Sequence, residues 1–352
     1  MNPRFIVFAM LSLVTYAKAY SECSISQVEI DFASAMNKLT SNPFWGKYPS
    51  DTTFAVDDLD TSSPGYYTVP NEQEGQRLVG LNLAEICNGQ PTLVRFIPST
   101  EALTPDFYSG CSSESNEEGC RGVVKNYYAK TKKNIGLEII DRKRTSRIFS
   151  SFNFKNTLNE VQLAINTSSH EMFHEYQIVS TGFTDKLPIQ HQDYNDSYDE
   201  CLTSPNWANQ YKKERKWWQN KLPELLSKDT NRERLIAMAI EFTGNIRQTN
   251  ASNELCNKAL SSFELHEGIA HFIGNIALLR SEVITAEKLA EYDSQFFDLS
   301  PDLHSVGYVY GSGGAVSMLC ERLMGSGWHQ AAEAGKSPYD ILKEYLSKSE
   351  ND

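Results

Sequence analysis

The chain has 352 residues, 40% of them hydrophobic and 11% aromatic, which is enough to bury a substantial core in one large domain or two closely packed lobes. Its 45 acidic residues outnumber 33 basic ones, and the formal net charge of −12 disfavours nucleic acid and anionic membrane surfaces as partners.

At the N-terminus Arg4 precedes an apolar run, Phe5 to Val14, and Ala17-Lys18-Ala19 follows as a small-residue cleavage site. A positive start, a short apolar core and A-x-A define a secretory signal peptide over 1–19, too short to be a comfortable membrane span. The expected product is secreted or periplasmic. Losing residues 1–19 removes two positive charges, Arg4 and Lys18, and moves the net charge from −12 to −14. No later stretch is long and apolar enough to insert stably in a bilayer, so the mature protein is expected to be soluble.

Residues 20–120 mix short apolar segments with turn-rich ones such as Thr61-Ser62-Ser63-Pro64-Gly65. They read as an N-terminal α/β region, a pro-segment, a substrate module or half of the fold. Pro91–Ile97 has the composition of a strand. A catalytic region is expected over 121–352. It opens with a helix near 123–132 and strands near 136–141, 147–154 and 159–165. In the last, Val161, Leu163 and Ile165 alternate with Gln162 and Ala164. A helix carrying His170 follows, with Asn166 or Thr167 as its cap.

Residues 175–256 look like a helical insertion, with Ser204-Pro205 as a helix start and Trp207, Trp217 and Trp218 on a surface helix packed through those rings, or else on a substrate lid. A strongly helical stretch, 255–280, and further helices complete the chain. Seven cysteines in an exported protein suggest disulfides. Cys111 with Cys120, Cys201 with Cys256 and Cys23 with Cys87 are the plausible pairs, and Cys320, in an apolar run, is the candidate free thiol. No C-x2-C pair suggests a zinc knot.

The chemistry lies in His170-Glu171-Met172-Phe173-His174. Residues i and i+4 share a helix face, so His170 and His174 can place two imidazole nitrogens on one Zn2+ ion. Glu171 lies beside them as general base for a water whose pKa zinc lowers to about 7. A competing pattern is a capping box between Ser168 and Glu171, which would commit Glu171 to the helix end.

A catalytic site needs a third protein ligand. No Gly and third His follow shortly after His174, and Asp185 is only faintly like an aspzincin ligand. The stronger segment is Phe263-Glu264-Leu265-His266-Glu267-Gly268-Ile269-Ala270-His271-Phe272. On a regular helix Glu264, Glu267 and His271 share a face and His266 is turned away.

H-E-x-x-H followed by a helix with E-G-x-A-x-F resembles the gluzincin, or peptidase MA-like, zinc metallopeptidases, over roughly residues 145–345. The resemblance implies Glu267 as the third ligand, with Gly268 and Ala270 letting its helix approach the first. His271, on the same helix face, either orients Glu267 or is a satisfied helix histidine. Ninety-three positions separate His174 from Glu267, more than is usual in the family, so Glu264, His271 and Asp185 stay as alternatives. Tyr308 and Tyr310, in a segment like the family's Tyr-Gly helix, are candidates for a hydrogen bond to an oxyanion, or else core residues.

The implied fold is α+β. A small sheet and the active-site helix would make an N-terminal lobe, and a mainly helical C-terminal lobe would supply Glu267. The edge strand near 159–165 would pair with an extended protein or peptide substrate. The implied activity is peptide-bond hydrolysis, and the rival readings are an inactive exported binding protein on the same scaffold and a zinc hydrolase of another substrate, such as a glycopeptide or another amide. Sequons stand at Asn166, Asn195 and Asn250, the first a poor glycan site because of its neighbourhood.

Overall fold

The computed structural model describes residues 31, 34–36, 38–39, 41–49, 52–57, 66–69, 81–83, 94–98, 134–138, 157–177, 181–189, 197, 200–201, 203–247, 254–297 and 305–349. The leader at 1–19, the helix near 123–132, the strand near 147–154, Cys23, Cys87, Cys111, Cys120 and the sequons at Asn195 and Asn250 lie outside them.

The expected α+β architecture is overturned. The body that carries the site is 80% helical and contains no strand. Five short strands, β1 (Thr52–Asp57), β2 (Tyr66–Val69), β3 (Leu81–Leu83), β4 (Val94–Pro98) and β5 (Asn134–Glu138), pair through their backbones in the order β3-β4-β2-β1-β5. The β1–β5 pair is parallel, Phe54 opposite Gly136, and the other pairs are antiparallel. None of them falls within 157–349, and among the described residues no strand runs into the His170 helix.

The segment read as an edge strand, 159–165, is instead the start of α1 (Glu160–Glu175). Asn159 and Gln162 cap it reciprocally. The Gln162 amide donates to Asn159 Oδ1 at 2.9 Å, and the Asn159 amide donates to Gln162 Oε1 at 3.0 Å. The inward stripe of α1 is Gln162, Ile165, Asn166, Ser169, Phe173 and Tyr176, all buried. Its spacing is helical, but half of its members are polar, so the apolar residues alone show a false alternation. The extra turns put Asn166, Thr167 and Ser168 inside the helix. None of them caps it, and Glu171 is not spent on a capping box.

Helix α2 (Pro205–Leu226) begins at its proline and buries Trp207, Tyr211, Glu214, Trp218, Leu222 and Leu225 along one face. Helix α3 (Arg232–Glu241), capped by the Asn231 side chain, ends in a π turn, Phe242–Ile246, that delivers Arg247 to the interior. Helix α4 (Glu254–Phe263) runs through a second π turn, Glu264–Gly268, into α5 (Ile269–Arg280) without leaving helical backbone angles. Then come α6 (Ala286–Ser294), α7 (Ser305–Met324), α8 (His329–Glu333) and α9 (Pro338–Ser349). Among the described helices none is long and apolar enough to cross a membrane. Cys201 and Cys256 are disulfide-bonded, and Cys320 is a buried free thiol.

The core is continuous from the N-terminal segment to α9. Trp45 meets Phe173 of α1 edge-on and stacks on His329 at 3.9 Å. The Tyr48 hydroxyl donates to the Ser169 carbonyl at 2.8 Å. These contacts brace α1 from behind the histidines.

Gly268 does not open space for α1. A Cβ there would lie 2.7 Å from the Gly313 Cα, and one on Gly313 would lie 2.6 Å from the Gly268 Cα, so the π turn and α7 touch backbone to backbone. The approach to α1 is made at Gly274, whose Cβ would meet the Asn166 carbonyl at 2.8 Å. Gly313→Ala should therefore destabilise. Alanine gains up to about 1 kcal/mol of helix propensity over glycine. Forcing two backbones apart costs about 1–3 kcal/mol and has no rotamer to relieve it. A lowered urea midpoint with an unchanged m-value would show this, and a raised midpoint would refute the close crossing.

Candidate metal centre

His170 and His174 stand one turn apart on α1, and their Nε2 atoms approach to 3.1 Å. Glu267 Oε2 lies 3.2 Å from His174 Nε2 and 3.3 Å from His170 Nε2. The three donor atoms form a nearly equilateral triangle. Ligands bound at about 2.0–2.1 Å with tetrahedral angles stand about 3.3–3.4 Å apart, so the triangle matches one face of that tetrahedron. This group could hold a metal ion. Two imidazoles and a carboxylate suit a borderline divalent ion such as zinc better than a hard, all-oxygen cation.

Glu171 has a different setting. Its side chain is 49% exposed, and Oε1 lies 3.9 Å from His170 Nε2. It is beside the triangle without belonging to it.

Glu267 reaches the histidines because of the π turn. The Ile269 amide donates to the Glu264 carbonyl, five residues back, rather than to Leu265. One added residue in a turn rotates the downstream side chains by about 100° relative to a regular helix. Glu264 and Glu267, which a regular helix would put on one face, are therefore divided between two sides. The Leu265 carbonyl, released from its usual partner, accepts from Gln177 Nε2 at 3.0 Å, and the His266 carbonyl accepts from the same nitrogen at 3.3 Å.

Those two carbonyls fix the Gln177 amide, because only its nitrogen can donate to them. Its Oε1 then faces His174 Nδ1 at 2.9 Å and must accept, which places the His174 proton on Nδ1. In the neutral ring Nε2 is left with a lone pair aimed at the triangle, as a metal ligand requires. Gln177 was missed in the sequence, although it lies three residues beyond His174, where a helix brings side chains together.

Without a metal the triangle holds a proton. Burial by itself would lower the His174 pKa, but the charge of Glu267 and its hydrogen bond outweigh that and raise it to about 9. Burial would likewise raise Glu267, yet the charges of His174 and His266 and the hydrogen bonds of His170 and His174 hold its carboxyl well below the usual range. The carboxylate is thus ionised, the form a metal ion binds.

The alternative ligands are engaged elsewhere. Asp185 is exposed on a short 3-10 turn, Phe183–Lys186. Glu264 is buried against Arg247 on the far side of the π turn, and burial pushes its carboxyl up to about 7 in spite of the guanidinium. His271 Nε2 meets Asp293 Oδ1 at 2.7 Å, and Asn275 Nδ2 holds both oxygens of that carboxylate at 3.0 Å. Of the two readings of His271, the geometry matches the satisfied helix histidine and not the orienting partner of Glu267. That position belongs to His266, expected to be turned away, whose Nδ1 lies 3.3 Å from Glu267 Oε1. Asn166 is buried, hydrogen-bonded to Asn275 and Tyr292, and closed to a glycan.

Tyr310 is half-buried on α7, its ring 5.4 Å from that of His170 and 5.8 Å from that of His271. Tyr308 is on the same helix, and its side chain lies outside the described residues. Gly314, next along α7, abuts the His271 ring, where a Cβ would come within 2.7 Å of Cδ2. The glycines of this helix thus let it lie directly against the π turn and the start of α5. Comparison of the chain with family models, curated proteins and solved structures found no match.

Proposed function

We propose that this chain is an exported zinc-dependent hydrolase that cleaves peptide bonds. The observation that carries the reading is the convergence of His170 Nε2, His174 Nε2 and Glu267 Oε2 at mutual distances of 3.1–3.3 Å, with Glu171 exposed beside them. Export rests on the leader pattern over residues 1–19, and peptide hydrolysis on the resemblance to gluzincins.

His170, His174 and Glu267 would hold the ion, and they carry one negative charge between them when both rings are neutral. A bound zinc ion supplies Lewis acidity and a water acidic enough to react near neutral pH. Gln177 keeps the His174 proton on Nδ1 and so keeps Nε2 available. Glu171 accepts a proton from the attacking water and returns it to the amine nitrogen as the peptide bond breaks. The Tyr310 hydroxyl, on the helix facing His170, is the donor for negative charge developing on the carbonyl oxygen.

The test is made on purified mature protein. We expect close to one zinc per chain, and cleavage of casein that stops with a chelator and returns when zinc is added. Folded protein that takes up no zinc would refute the metal reading. Zinc-loaded protein inert toward casein and toward a peptide library would refute the peptidase reading and leave a metal-bearing binding protein.

A further inference from the structure

Behind the π turn, on the side away from the histidines, lies a buried charged cluster that takes no part in the proposed hydrolysis. Arg247 enters at the end of the π turn after α3 and is 3% exposed. Its Nε donates to Glu214 Oε2 on α2 at 3.0 Å, and Nη2 donates to Glu214 Oε1. Nη1 donates to Glu264 Oε1, and Nη2 also donates to the Ser312 hydroxyl of α7 at 2.8 Å. Ser312 in turn donates to Glu214 Oε1 at 2.6 Å. The Tyr339 hydroxyl of α9 donates to the Arg247 carbonyl at 2.9 Å, and the rings of Phe242 and Tyr339 lie 5.0 and 4.9 Å from the guanidinium carbon.

One guanidinium therefore ties together α2, α7, α9 and the π turn between α4 and α5, where its contact is Glu264, the first residue of that turn. Glu267 is the fourth. A buried charged cluster is a costly way to gain stability, since an apolar replacement of similar volume often does as well. What it offers is a fixed geometry. With Glu264 held toward Arg247 and Gly268 pressed on Gly313, the turn cannot relax to a regular helix without swinging Glu267 away from the histidines.

We propose that Arg247, acting through Glu264, is a positioning device for the metal site: it holds the π turn in the register that brings Glu267 onto His170 and His174. This rests on the proposed metal site.

Glu264→Gln keeps an acceptor for Arg247, whereas Glu264→Met keeps the volume and removes it. Zinc affinity, measured by competition with a chromophoric chelator, should stay within about twofold of wild type for Gln. It should fall about 10- to 100-fold for Met, the range for losing a group that orients a ligand. Leu342→Ala, a cavity in α9 chosen as a control for loosening alone, should leave zinc affinity unchanged. In the metal-free proteins, backbone amides of 265–269 should exchange faster in the Met variant than in the Gln variant.

Wild-type affinity in Glu264→Met would overturn the proposal while leaving the metal site standing. An equal loss in Leu342→Ala would also overturn it, by showing that any softening of the fold suffices. If wild-type protein itself binds no zinc, the metal-site reading fails and this proposal with it. Should the Met variant not fold, Arg247→Lys takes its place, because it keeps a buried positive charge but loses the planar fork that bonds Glu264 and Glu214 at once; it should weaken zinc binding about threefold or more, and wild-type affinity would overturn the proposal.

Discussion

Glu267→Ala is expected to lower zinc affinity by more than about 100-fold, which exceeds the usual penalty for losing a group that only orients a ligand. The reason is geometric. Glu267 Oε2 is the third corner of the donor triangle, and Glu171, the acidic group beside it, stands off at 3.9 Å from His170 Nε2. Asp185 is exposed, and Glu264 is held by Arg247 behind the π turn. His271 is held by Asp293. Competition with a chromophoric chelator would give the affinity, and circular dichroism would confirm that the helices are intact. Zinc retained at wild-type affinity would exclude Glu267 as a ligand.

The same substitution has a pH signature in metal-free protein. The folded pKa of His174, about 9, lies above the unfolded value of 6.5, so its pairing with Glu267 stabilises fully below 6.5 and fades as pH rises through 9. The depressed Glu267 carboxyl contributes in the opposite sense, above its unfolded value of 4.5. Without metal, the variant's stability deficit should therefore be greatest between about pH 4.5 and 6.5 and close towards pH 10. A deficit independent of pH would mean that the loss is one of packing, not charge.

What the sequence could reveal depended on how far each signal was local. His170 and His174 need only helical spacing, and a helix is what they occupy. Glu267 came from resemblance, since nothing in its spacing from His174 announces contact across 93 residues. The strand reading of 159–165 failed because α1 buries Gln162, Asn166 and Ser169 where an apolar stripe was sought. These side chains find partners across the helix interface, Gln162 on the Val283 carbonyl and Asn166 on Asn275, and those partners are distant in the chain.

The π turn was equally hidden. Glu264-Leu265-His266-Glu267-Gly268 has ordinary helical residues, and the extra residue in its turn is imposed by Gly313 and Arg247. Hence the assignment of Glu264, Glu267 and His271 to one face, correct for a regular helix, separated the wrong histidine from the site. Gln177, His266 and Arg247 act only through that irregular turn, which is why no periodicity exposed them.

Glu171→Gln is expected to leave zinc affinity within a few-fold of wild type and to lower kcat by about 10²–10⁴-fold, the usual contribution of a positioned acid–base group. Glutamine preserves the size of the side chain and its place on α1 but cannot take a proton. Glu171 is outside the donor triangle, 49% exposed, and not engaged by a helix cap, so neither the fold nor the ligand set depends on its charge. Peptide cleavage and chelator competition on the same preparation separate the two roles. Loss of zinc together with activity would make Glu171 a ligand and refute the division of labour between base and ligands. Undiminished kcat with zinc bound would mean that another group carries the proton.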